Sequence, residues 1–161
     1  MKSTSFSVLI IGILTLSLAP LATADEASVL REAEDRAEIE QLMWRYVRAL
    51  DSRNAEAYAA VFTEDGQFGA GDSATRGHEA LKEMIQGLGP GDGPQMYHVI
   101  ANHSIEFIDA DRARYHSYWM TVFGATEGTQ PRVAAVGRGI DELVRTDAGW
   151  LIRLRNFQPD D

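Results

Sequence analysis

Proton-transfer chemistry in this chain has few carriers: four histidines, at 78, 98, 103 and 116, set among 24 Asp and Glu residues. Asp51 and His98 are the leading pair. Asp51 stands where the apolar stripe of the first helix stops, so its carboxylate either looks into the mouth of a pocket or bonds to neighbouring backbone amides at the helix end. A carboxyl group in a partly apolar site holds its proton more readily and becomes a usable carrier near neutrality. His98 lies on the first long strand, and an imidazole within hydrogen-bond reach of Asp51 could pass a proton to or from a hydroxyl or enolate while the carboxylate orients the ring. The competing reading is a buried histidine bonded to backbone.

The flanking residues would shape such a site. His116 and Tyr118 share one face of the second long strand, because residues two apart point the same way, and Met120 and Val122 continue that face. If it is the concave face, all four line the pocket; otherwise His116 is a surface histidine. Tyr46 lies on the helix stripe with Met43, Val47 and Leu50, either as core or as a wall for an apolar or aromatic ligand, with a phenol to fix a carbonyl. Asn102 has the strand parity of His98 and could orient it or sit at a strand irregularity, whereas His103 has the opposite parity. His78 opens the third helix and is expected to be solvated.

Other chemistries are excluded. There is no cysteine, hence no disulfide, thiol nucleophile or thiolate zinc site. The histidines form no His-x-His or His-x-x-x-His pair, so no metal site is expected. Gly69, Gly71 and Gly77 belong to neither a phosphate loop nor a dinucleotide fingerprint, and no serine has the context of a nucleophile elbow. The expected chemistry needs no cofactor. Fifteen Lys and Arg against 24 Asp and Glu give a formal charge of −9, which disfavours nucleic acid as a partner. Arg132, Arg138, Arg145, Arg153 and Arg155, with Asp141 and Glu142 as neighbours, read as a charged outer or subunit-facing sheet surface.

Residues 1–24 have a different character. Lys2 is their one charge, Val8 to Leu18 is an apolar run, and Ala22-Thr23-Ala24 is a small-x-small cleavage pattern. That run is shorter than the roughly 20 residues that span a bilayer. The expectation is a signal peptide over 1–24 and one exported domain over 25–161, periplasmic or secreted in a bacterium and with no membrane association after cleavage.

The elements that must position these residues follow from periodicity. Leu30, Ala33, Ala37, Leu42, Met43, Tyr46, Val47 and Leu50 recur mostly at three- and four-residue steps, which predicts a helix over Ser28–Leu50. Asn54 can cap a second helix over Ala55–Phe62; Thr63–Gly66 reads as a turn, Gln67 and Phe68 as a short extended piece, and Glu79–Leu88 as a third helix. From Met96 the period is two: Met96–Ile108 as one strand or a bulged pair, then Arg112–Phe123, Val133–Arg145 and Trp150–Phe157, separated by turn residues. Helices first and then an antiparallel meander is an α+β domain with helices laid on one face of a curved sheet.

These strings resemble the SnoaL-like families of the nuclear transport factor 2-like superfamily. The resemblance rests on IEQLMWRYVRALDSRNAEAYAAVFTEDGQF (Ile39–Phe68), RGHEAL (Arg76–Leu81), HVIANHSIEFIDADRARYHSYW (His98–Trp119) and DAGWLIRLRNF (Asp147–Phe157), and covers nearly all of 25–161. It implies a cone-shaped α+β barrel, three N-terminal helices on a strongly curved antiparallel sheet enclosing a pocket, and commonly a homodimer paired through the sheets. Asp51 and His98 stand at positions similar to the pocket Asp and His of scytalone-dehydratase-like members. The second catalytic His of those members falls at Val122, and their Ser and Asn near Gly137 and Gly139, so dehydration of that exact type is not implied. The resemblance implies a dehydratase, isomerase or cyclase working by acid/base chemistry on a small apolar or aromatic carbonyl compound. The alternative is a non-catalytic hydrophobic-ligand-binding or dimeric accessory module.

Overall fold

The computed structural model describes residues 24–159 apart from 90, 92 and 93. The leader expected over 1–24 therefore lies almost wholly outside the described residues. Helix α1 (Ala24–Asp51) is followed by α2 (Ala55–Ala59), β1 (Phe62–Phe68), β2 (Thr75–Arg76), α3 (His78–Gln86), β3 (Met96–Phe107), β4 (Arg112–Phe123), β5 (Arg132–Thr146), β6 (Gly149–Arg155) and β7 (Phe157–Pro159). No described helix is long and apolar enough to cross a membrane.

The first half of α1 is solvated, with Val29 and Leu30 more than half exposed; burial begins at Asp35 and then follows Ile39, Leu42, Met43, Tyr46, Ala49 and Leu50. This spacing puts one stripe against the sheet. Two acidic residues join it: Asp35 accepts from the buried Trp150 indole at 3.3 Å, and Glu38 from the Trp150 backbone N–H at 2.9 Å. Asn54 caps α2, accepting from the Ala57 N–H at 3.0 Å. That helix ends at Ala59, short of the expected Phe62, because Phe62 opens a strand that pairs in parallel with β6. Gly66 lets this strand loop out between Phe62 and Gln67: a Cβ there would meet Phe62 Cβ at 2.7 Å and Thr63 O at 2.8 Å.

The sheet order is β2-β1-β6-β5-β4-β3, with β7 paired to β5 beyond the break at Asn156. The helices precede the meander as expected. The sheet differs from a closed antiparallel barrel in one pairing, since β1 meets β6 in parallel and the strands β2 and β3 remain unjoined edges. The core lies between this sheet and the helices, centred on Trp150, Tyr58, Phe62, Leu81, Ile85 and Ile152.

Two β-bulges set the faces. In β3 the register with β4 shifts between Ala101 and Ser104, where Asn102 takes φ +50°. In β6 the register with β5 shifts between Glu142 and Leu143, so that Ile152 and Leu154 are paired but Arg153 is not. Each bulge adds one residue and reverses the parity beyond it. Ile105 and Phe107 thus turn inward after His98 and Ile100, and Arg155 turns inward after Trp150 and Ile152.

Candidate active site

The end of α1 and the first residues of β3 meet at Asp51 and His98. Asp51 Oδ1 accepts two hydrogen bonds from His98, one from the backbone N–H at 3.0 Å and one from ring Nδ1 at 2.7 Å. The side chains are 12% and 20% exposed, sheltered enough to fix the geometry and open enough to be reached. With the Nδ1 proton facing the carboxylate, the neutral ring keeps its free lone pair on Nε2, the atom left able to accept a proton. The backbone bond joins strand β3 to the helix end beside the ring.

His98 lines a cavity of about 210 Å³ between α1 and the concave face of the sheet. Tyr46 and Leu50 come from α1, Ile100 from β3, Trp119 and Thr121 from β4, Ala135 from β5, and Phe68, Arg155 and Phe157 complete the wall. The wall is largely aromatic: Phe68 stacks on Phe157 at 4.8 Å, and Trp119 meets Phe157 edge-on at 6.0 Å. The Trp119 indole N–H is spent on the Arg138 carbonyl at 3.1 Å, leaving its ring as apolar surface. Behind the wall, burial raises the Tyr58 phenol well above its ordinary range and pushes Tyr115 up to about 12, so both stay neutral.

Arg155 is the cation of this cavity. It is 3% exposed, its guanidinium sits 4.9 Å above the Tyr46 ring, and its Nη1 is ion-paired with the fully buried Asp141. Asp141 is held in turn by the Asn156 N–H at 3.1 Å. Arg155 Nε has no hydrogen-bond partner among the described residues, a costly vacancy for a buried charged donor. Gly139 makes room beside it: a Cβ there would stand 3.5 Å from Arg155 Nη1 and 3.3 Å from the buried Ser117 hydroxyl.

The structure separates the residues expected from sequence into three places. Tyr46, Leu50 and His98 line the cavity, with Asp51 behind His98. Met43 and Val47 line a neighbouring groove between α1 and β3. His116, Tyr118, Met120 and Val122 lie on the opposite face: it is Ala113, Tyr115, Ser117, Trp119 and Thr121 that face the core, and Tyr118 is 53% exposed. His116 pairs there with Glu106 at 3.4 Å. Asn102 is exposed at the bulge, and the reversal carries His103 to the helix side, stacked on Tyr115 at 5.3 Å. His78 is not solvated; its Nε2 meets the Phe62 carbonyl at 3.0 Å and ties α3 to β1. Arg155 and Asp141 are likewise not surface charges, whereas Arg153 and Glu142 do pair on the outer face. Among the described residues no group of three His, Asp or Glu is placed to hold a metal ion.

The fold and sequence have known counterparts. The model of the SnoaL-like domain family matches residues 31–156. An NTF2-like protein with a cystatin-like fold from Novosphingobium aromaticivorans is 26% identical, with a TM-score of 0.74 over 88% of this chain and 93% of that one. A scytalone dehydratase-like protein from the same species is 23% identical, with a TM-score of 0.70 over 83% and 89% of the two chains. The hexachlorocyclohexane dehydrochlorinase LinA-type3 from Novosphingobium barchaimii is 19% identical, with a TM-score of 0.69 over 83% and 91%. No curated protein sequence matches the chain. With the family model spanning α1 to the end of β6 and the same fold in these structures, the chain belongs to the SnoaL-like domain family.

Proposed function

We propose that the cavity performs cofactor-free proton transfer on a small, largely apolar carbonyl compound. The observation that carries this reading is the doubly bonded Asp51–His98 pair at the wall of a cavity otherwise built from aromatic and aliphatic side chains. His98 Nε2 removes a proton from the carbon next to the carbonyl. Asp51 stabilises the imidazolium that forms, and the negative charge developing on the carbonyl oxygen is met by the Arg155 guanidinium and the Tyr46 hydroxyl. Return of the proton at another carbon gives isomerisation; loss of a group from the β carbon, with the electron pair of the broken C–H bond forming the new double bond, gives dehydration or a related elimination. Relatives described as a scytalone dehydratase-like protein and a dehydrochlorinase both fit elimination begun by proton removal. The minimal test is exchange of the methyl protons of acetophenone in deuterated water, followed by NMR. Catalysed exchange above the buffer rate is expected. Binding of acetophenone without exchange would favour a hydrophobic-ligand-binding module.

The reading includes a homodimer formed through the outer face of the sheet. Tyr118, Val136 and Ile140 are 53%, 43% and 41% exposed on adjacent strands there, around Arg138 and His116. Large apolar residues grouped on one face mark an interaction surface. Light scattering is expected to give twice the chain mass for the wild type, and the single-chain mass for Tyr118→Glu with its circular dichroism unchanged. A monomeric wild type removes the dimer from the proposal.

A further inference from the structure

The cavity beside His98 is small, about 210 Å³ against the roughly 300–1,000 Å³ of typical ligand pockets. A second space adjoins it. Between α1 and the edge strand β3 runs an open groove of about 380 Å³, and His98 and Ile100 line both spaces. The groove has an aromatic floor and wall. His103 lies nearly parallel to Tyr115, with 12° between the rings, and Trp44 stands at the side, 52% exposed with Arg48 over its face at 5.1 Å. Met43 and Val47 fill the space between, and at the far end His103 Nε2 meets Glu40 at 3.3 Å.

Met43 and Tyr115 belong to the core, but Trp44 and His103 do not. Trp44 is on α1 but off the buried stripe, and a half-exposed indole contributes little to the core. His103 reaches the groove only because the bulge at Asn102 reverses the strand, and bulges of this kind re-aim side chains beside active sites. We propose that the α1–β3 groove is a specificity subsite for the distal aromatic ring of an elongated substrate, whose carbonyl end enters the inner cavity past His98. Trp44 and the His103–Tyr115 stack sandwich the distal ring, and the His103–Glu40 pair receives a polar substituent at its end. The proposal rests on the proton-transfer reading for which end of the substrate reacts. It does not rest on it for the existence of the subsite.

The experiment compares acetophenone with para-phenylacetophenone, which adds one ring in line with the carbonyl end. Affinities are measured by chemical-shift titration in the wild type, Trp44→Ala and Trp44→Phe, with methyl-proton exchange followed in the same samples. The longer probe is expected to bind at least about tenfold more tightly than acetophenone to the wild type, the scale set by burying one further ring. Trp44→Ala is expected to abolish that advantage while leaving acetophenone affinity within about twofold, and Trp44→Phe to restore most of it. Equal affinity for both probes, no binding of the longer one, or equal weakening of both by Trp44→Ala would overturn the subsite. Discrimination without exchange in any sample would preserve the subsite and sink the proton-transfer reading; exchange without discrimination would do the reverse.

Discussion

Replacing His98 by Gln is expected to lower methyl-proton exchange of acetophenone by about 10²–10⁴-fold, the contribution of a positioned general base, while acetophenone still binds within a fewfold of the wild type. The asymmetry follows from the cavity: aromatic and aliphatic walls supply most of the contact area, and His98 contributes one edge. Asp51→Asn is expected to lower the rate as well, by up to about 10⁴-fold, through a different physical step. An amide oxygen can still accept from the His98 backbone N–H and from Nδ1–H, but it carries no charge to stabilise the imidazolium. The double variant is expected to be no slower than His98→Gln alone, because Asp51 acts through the ring and has nothing to orient once the ring is gone. Nitrogen-15 shifts of the ring give a readout that a merely structural role would not move. The neutral wild-type ring is expected to be protonated on Nδ1, and the Asp51→Ala ring to show a mixture of tautomers. Wild-type exchange in His98→Gln would remove the base from the mechanism.

The Asp51–His98 contact could be suspected from sequence because Asp51 is where the α1 stripe stops, and the resemblance implies a pocket histidine at position 98 on the first long strand. The rest of the site was hidden by strand phase. In β4 the inward residues Tyr115, Ser117, Trp119 and Thr121 are no more apolar than the outward His116, Tyr118, Met120 and Val122, so alternation alone could not choose the concave face. A short polar residue such as Asn102 tolerates positive φ, and a strand irregularity there is one of the two sequence readings, but the alternation does not say which residues turn inward beyond it. Arg155 was harder still. Arg153 and Arg155 share parity in the sequence, and only the bulge at Arg153 leaves it in solvent with Glu142 and turns Arg155 inward to Asp141.

That inward turn leads to the second large effect. Asp141→Asn is expected to destabilise the protein by about 3–5 kcal/mol, because it strands a buried guanidinium that water cannot reach. Arg155→Met strands the carboxylate instead, at a similar cost in denaturant midpoint. Replacing both together, Arg155→Met with Asp141→Leu, removes both charges, and buried pairs exchanged for apolar groups of similar volume often leave stability nearly unchanged or improved. The double variant is therefore expected to recover most of the stability lost by either single one, with urea midpoints compared at equal m-values. Exchange activity should not recover with it. An electrophile facing developing negative charge is worth about 10²–10³ in rate, so the refolded double variant remains slow while still binding acetophenone. A buried pair that stability does not need, but turnover does, is the pattern expected if the cavity-lining Arg155 serves to meet developing negative charge. A double variant as unstable as the single ones would make the pair a structural brace, and one with wild-type exchange would move the charge stabilisation away from Arg155.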